Sequence, residues 1–193
     1  GLYNWYDRQQ ADRRNLAFSE LSQVSGVASP SPSSLEDVAN LYEGVDSVAE
    51  LARLRAADVY MSSVRGGMLA GRLPNPDGTL ASLDDALTED TRKDYLANAQ
   101  RLYERVLEVT SKDSKRTLLS INALFGIAAV AESRGDLEAA KSAYERLIAT
   151  AEQPFPEHAA VAKARLTTLD SLAAVPTLFE RSMLPALPEE SQA

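Results

Sequence analysis

The sequence predicts an all-α fold, and three observations carry that prediction. The 193 residues are 45% hydrophobic, enough to bury one sizeable core in one domain. The apolar residues are mostly Ala, Leu and Val at helical spacing, without strand-like runs rich in Ile, Thr and aromatics. Gly and Pro number nine each and gather at a few places, which leaves long stretches free to form helices.

Residues 2–24 read as one helix, a stem, with Ala17, Leu21 and Val24 on one face of its second half. Its first half is polar apart from Leu2, Tyr3, Trp5, Tyr6 and Ala11. Residues 25–34 form a loop of small residues and prolines; Ser33 with Glu36 then predicts a capping box and a short helix through about Tyr42, ended by Gly44. Ser47 with Glu50 repeats the capping box and starts a helix with Leu51, Leu54 and Ala57 on its apolar face, broken at Gly66-Gly67. Residues 66–89 read as an insertion, with Asn75-Pro76-Asp77-Gly78 as a strong turn signal. A long insertion in a helical array is functional, flexible or both. From about Thr91 a helix carries Ala99, Tyr103 and Val106.

Residues 121–151 hold two amphipathic helices meeting at Gly135-Asp136, with Ala128 and Ala131 before the turn and Ala140, Tyr144 and Leu147 after it. Small residues suit a close crossing of two backbones, and one large ring fills the wedge beside it. Pro156 suits the first position of a last helix, whose face carries Ala162, Leu166 and Leu169. The domain so defined covers 25–173, and a tail at 174–193 contains Pro176, Pro185 and Pro188.

The segment AQRLYERVL at 99–107 lies in register over AKSAYERLI at 140–148, an offset of 41 residues. With its Gly135-Asp136 turn and these small and large positions, the chain resembles the tetratricopeptide repeat family, whose helix–turn–helix unit is about 34 residues long. The resemblance covers 121–151 well, 91–107 as a second helix and 47–64 as a loose first helix, with 2–24 and 34–42 as a degenerate repeat. Leu124 stands where the family often has Trp, Leu147 where it prefers Ala, and the repeat-ending proline is displaced to Pro154.

The resemblance implies a right-handed stack of antiparallel helix hairpins and a non-enzymatic protein–protein interaction scaffold. The first helix of each pair would line a concave groove for a protein or peptide. By alignment those positions are Leu54, Asp58 and Met61 in one helix, Leu54 equally suiting the core, and Asn122, Phe125, Ala129 and Glu132 in another. An exposed Phe, Leu and Met there would suit a peptide or helix. Alternatively the groove is filled by the insertion, through Met68, Leu69 and Leu80, or by the tail, through Leu178, Phe179, Met183 and Leu184. More narrowly, the order of features is similar to bacterial single-span repeat proteins, the group that includes the ancillary subunit of the secretion translocon. That similarity implies an N-terminal anchor, an extracytoplasmic repeat domain and contact with translocon or chaperone proteins.

Composition narrows the partners. The net charge is −8 and the pI about 4.8; no face clusters Lys and Arg as counterion release requires, so nucleic acid is not expected. The absence of cysteine excludes disulfides and thiol chemistry. No run of about 18 apolar residues is present to span a membrane. Trp and Tyr do gather where chains leave a bilayer, and the chain begins at Gly1 rather than Met. Gly1 reads as the scar of tag removal, and Tyr3, Trp5 and Tyr6 as the membrane-proximal end of an anchor ahead of Leu2. An extracytoplasmic, membrane-anchored domain follows, although Arg8, Arg13 and Arg14 favour the cytoplasmic side. The alternatives are rings packed on the next helix, and a soluble cytoplasmic scaffold or homo-oligomer that uses the stem as its interface.

Catalytic chemistry is not expected. His158, the one histidine, has no ligand at metal spacing and reads as a surface residue. Asp84-Asp85 and Glu189-Glu190 are adjacent carboxylates that point in different directions. Gly66-Gly67 with Gly71 lacks a preceding strand and a Walker lysine, and no nucleophile elbow occurs. The expectation is no catalytic residue, no metal and no cofactor, with Tyr103 and Tyr144 as core packing.

Overall fold

The computed structural model describes residues 2–172, with side chains for all of these except Leu2, Tyr3, Asn4, Tyr6, Asp170 and Leu172. Among the described residues there are seven helices: α1 (Leu2–Ser25), α2 (Pro32–Leu41), α3 (Val48–Gly66), α4 (Glu89–Thr110), α5 (Thr117–Arg134), α6 (Leu137–Ala151) and α7 (Pro156–Leu172). No strand forms among them; a lone antiparallel bridge joins Met68 and Ala86. The fold is all-α. From α2 onward each helix packs on the next, α3 also touches α5, and α1 rests on α2 and α3. Helix α3 is therefore central, touched by α1, α2, α4 and α5.

The α5–α6 hairpin forms where the residues predict it. Gly135 takes a left-handed φ of 74°, the Asp136 N–H donates to the Ala131 carbonyl at 3.0 Å, and the Asp136 carboxylate accepts from the Ala139 N–H at 3.0 Å. One residue pair thus closes α5 and opens α6. Ala128 and Ala140 are both fully buried, and α5 and α6 pack against each other. Gly67 ends α3 in the same left-handed region, at φ 66°. Pro156 is the first residue of α7, and Ala162 and Leu169 are buried along it.

Both predicted capping boxes fail. Helix α2 starts at Pro32 after Ser31, without a side-chain cap bond, and the Ser33 hydroxyl lies 2.8 Å from that of Ser31. Glu36 is drawn instead to Arg101, at 2.8 Å. Ser47 precedes α3 but makes no side-chain cap, while Glu50 is 2% exposed and pairs with Arg116 at 3.2 Å. Ser33 lies inside the first turn of α2, past the N-cap, so its box is out of register; at α3 the charged Arg116, a stronger donor than a backbone N–H, holds Glu50 instead.

Arg116 also donates to the Asp46 carbonyl at 3.0 Å, tying the α2–α3 turn to the start of α5. Buried Arg53 pairs with Glu43, which Arg105 reaches at 3.5 Å. Arg92 donates to two helix C-termini, the Ser133 carbonyl at 3.0 Å and the Val64 carbonyl at 3.4 Å.

The insertion between α3 and α4 is closed at its base. The Leu69 N–H donates to Asp85 at 2.9 Å and the Leu87 N–H to Gly67 at 2.8 Å, with Arg72 paired to Asp85 at 3.1 Å. At its tip the predicted turn forms, with Gly78 at φ 83° and Asp77 accepting from the Thr79 N–H and hydroxyl at 3.0 and 2.7 Å. Its ends meet and its own groups are bonded to one another, as in a compact Ω-loop.

Helix α1 packs through Ala17, Leu21 and Val24, while its first half stands exposed, Trp5 at 62%. Trp5 therefore does not pack on the next helix. The side chains of Tyr3 and Tyr6 and the whole tail, Leu178, Phe179, Met183 and Leu184 included, lie outside the described residues.

Candidate functional site: a groove along α3

A groove of about 600 Å³ opens beside α3. Leu51, Leu54, Arg55, Asp58, Met61 and Arg65 line it from α3, at spacings that hold one helical face. Leu21 and Ser25 come from α1, Tyr103 from α4, and Asn122, Phe125, Gly126 and Ala129 from α5. A second hollow of about 460 Å³ shares Ser25, Arg55, Asp58 and Arg65 with it, so the charged residues sit where two concavities meet.

Tyr103 forms the floor. Its ring is 3% exposed, and a Cβ on Gly126 would come within 2.3 Å of its Cζ. The ring thus lies against bare α5 backbone, and only glycine admits it. Its hydroxyl donates to Asp58 Oδ1 at 2.7 Å. Burial, then the charge and hydrogen bond of Asp58, push that hydroxyl far above the usual tyrosine range, so it stays a donor.

Asp58 is exposed at the groove, and the walls around it desolvate its carboxyl in part. This desolvation raises its pKa above the ordinary 3.8, against the opposing pull of the Tyr103 hydroxyl and of the Arg55 and Arg65 charges. Both arginines are exposed, and neither makes an ion pair or hydrogen bond with another described residue.

Six of the seven residues singled out from the sequence, Leu54, Asp58, Met61, Asn122, Phe125 and Ala129, line this one groove. Glu132 does not; it accepts the Tyr144 hydroxyl at 2.8 Å. Of the expected exposed apolar trio, Met61 needs correction at 2% exposed, Leu54 at 7% takes its core alternative, and Phe125 is half-buried. They form a floor rather than projecting anchors.

Tyr103, read from the sequence as core packing alone, is core and groove at once. His158 is not a plain surface residue: its ring lies 6.3 Å from Phe125 and 5.8 Å from Phe155. The insertion does not enter the groove; Met68, Leu69 and Leu73 line a separate hollow with Val59 and Ser62.

Sequence reasoning missed Arg55, Arg65 and Gly126. Arg55 and Arg65 stand three residues before and seven after Asp58, a helical spacing that was available. Gly126 carried no such signal, because what it accommodates is a ring on another helix.

Among the described residues no three metal-ligating side chains converge, and no helix is long and apolar enough to cross a membrane. No family model, characterised protein or solved structure matches the chain. What the groove offers is an apolar floor, a fixed acceptor at Asp58 and two unpaired guanidinium groups at its edge, an arrangement for holding a ligand.

Proposed function

We propose that the chain is a non-enzymatic interaction module of the tetratricopeptide-repeat kind, which takes a segment of a partner protein into the groove beside α3. One observation carries this reading: side chains from four separate helices converge on a single concavity with an apolar floor and a polar rim. A photo-crosslinking residue at position 122, exposed in the groove, tests it in the native host. Discrete protein adducts are expected from that position and not from an exposed position outside the groove such as Lys112. The same adduct pattern from both positions overturns the reading.

The exposed Trp5 near the start of α1 supports a tether. In this reading the stem carries the module off a membrane surface, on the extracytoplasmic side, with its aromatic end in the headgroup zone. Trp5 is the one tryptophan, so its emission reports on the stem alone. A blue shift on adding phosphatidylcholine–phosphatidylglycerol vesicles is expected. A shift that depends on protein concentration, with none on adding vesicles, assigns the stem to a homo-oligomer interface in a soluble scaffold instead.

A further inference from the structure

The charge at the groove narrows its occupant. The chain carries −8 overall, yet the groove's charged lining is two arginines against one carboxylate. That carboxylate is already bonded to Tyr103, whereas Arg55 and Arg65 are exposed and free of bonds to the other described residues. After Asp58 the lining keeps an excess of one positive charge in an acidic protein, and its complement is an anionic group.

Geometry adds a spacing. Arg55 and Arg65 lie ten residues apart on α3, about 15 Å along the axis, the reach of four or five residues of extended chain. Between them the wall is Met61, buried at 2%, which offers an apolar seat. The second hollow continues past the same arginines with Val27, Pro30, Leu35 and Val59, so a chain can run through rather than end there.

Taking the groove to be a peptide site, we propose that its occupant is an extended peptide with two acidic side chains four or five residues apart and an apolar side chain between them. The acids answer Arg55 and Arg65, and the apolar side chain covers Met61.

A random 12-residue peptide library displayed on phage, selected on the immobilised full chain and counter-selected on an Asn122→Trp variant, tests this. Asn122 is exposed in the groove, so the indole fills it without entering the core; circular dichroism checks that helicity is kept. Enriched sequences are expected to carry the acid–apolar–acid pattern. Replacing both acids by Gln in the best synthetic peptide, or Arg55→Gln with Arg65→Gln in the protein, should each weaken binding roughly tenfold. The two losses should not add, because they remove the same interaction.

Enriched sequences without paired acids, or a Gln peptide that binds equally well, overturn the charge assignment and leave the groove standing as a peptide site. No enrichment over the counter-selection overturns the groove reading itself.

Discussion

Gly126 has no room for a side chain. The Tyr103 ring meets any Cβ there at 2.3–2.5 Å and cannot swing aside, because Asp58 holds its hydroxyl. Gly126→Ala gains helix propensity of about 1 kcal/mol but overpacks at a cost of about 1–3 kcal/mol. The net expectation is a melting temperature lower by up to about 8 °C for a chain of this size; a raised value in calorimetry refutes the packing. Asp58 sets a pH dependence of known sign. Its folded-state pKa is raised, so the folded form binds a proton more tightly than the unfolded chain does. The strain of holding Asp58 ionised is present at neutral pH and is relieved as pH falls toward the ordinary 3.8. Asp58→Asn is therefore neutral or stabilising at pH 7, and its advantage over the parent shrinks as the medium is acidified. Glu43 runs the other way. The Arg53 hydrogen bond lowers its pKa, so its contribution is present above the ordinary 4.5 and is lost as pH falls through the lowered value. Urea midpoints from pH 3 to 7 for Asp58→Asn and Glu43→Gln separate the two, and parallel curves for all three proteins refute both assignments.

The α5–α6 hairpin was legible because everything it needs is local: Gly135 for a positive φ, Asp136 for the cap, and Ala128 and Ala140 for close packing. Ala140→Leu should cost about 1–3 kcal/mol by overpacking that junction, read as a fall in the urea midpoint at constant m-value. The partners of Glu36 and Glu50, the glutamates of the two predicted capping boxes, were illegible for the opposite reason. Arg101 is 65 residues from Glu36 and Arg116 is 66 from Glu50, and no local rule weighs a competitor that far away. The groove was half legible on the same principle. Positions 54, 58, 61, 122, 125 and 129 follow from periodicity and alignment, while the Tyr103–Gly126 contact depends on how α4 meets α5. Arg92 is a further tertiary device, one side chain bonded to the last turns of both α3 and α5. Arg92→Ala should release those carbonyls, at about 1 kcal/mol, and speed amide exchange at Gly67 and Gly135 over the mid-helix positions. Unaltered exchange at both glycines rules that role out.

Across the whole molecule contacts run mainly between neighbouring helices, and the Arg116–Glu50 pair is among the few ties that bridge the α2–α3 turn, α3 and the start of α5. Glu50 is almost fully buried, and its Oε2 has no partner among the described residues, so the pair already stands short of full satisfaction. Arg116→Ala strands a buried carboxylate and should cost about 3 kcal/mol. Glu50→Leu with Arg116→Met removes both charges and should recover most of that loss; a double variant no more stable than Arg116→Ala would show that the pair is not the cause. The insertion, by contrast, is tied to its surroundings over its first residues and at its base, the Ala70 N–H donating to the Tyr95 hydroxyl at 3.3 Å and the Ser29 hydroxyl to the Arg72 carbonyl at 3.0 Å. Its two ends are pinned by backbone hydrogen bonds at Gly67–Leu87 and Leu69–Asp85, and its Pro76-Asp77 tip points away into exposed turn. The helical body therefore perceives the insertion as a short staple, whatever the length of chain beyond it. In engineering terms that makes the tip a cargo port: a fluorescent protein spliced between Pro76 and Asp77 would ride on the scaffold as a passenger, leaving the groove open.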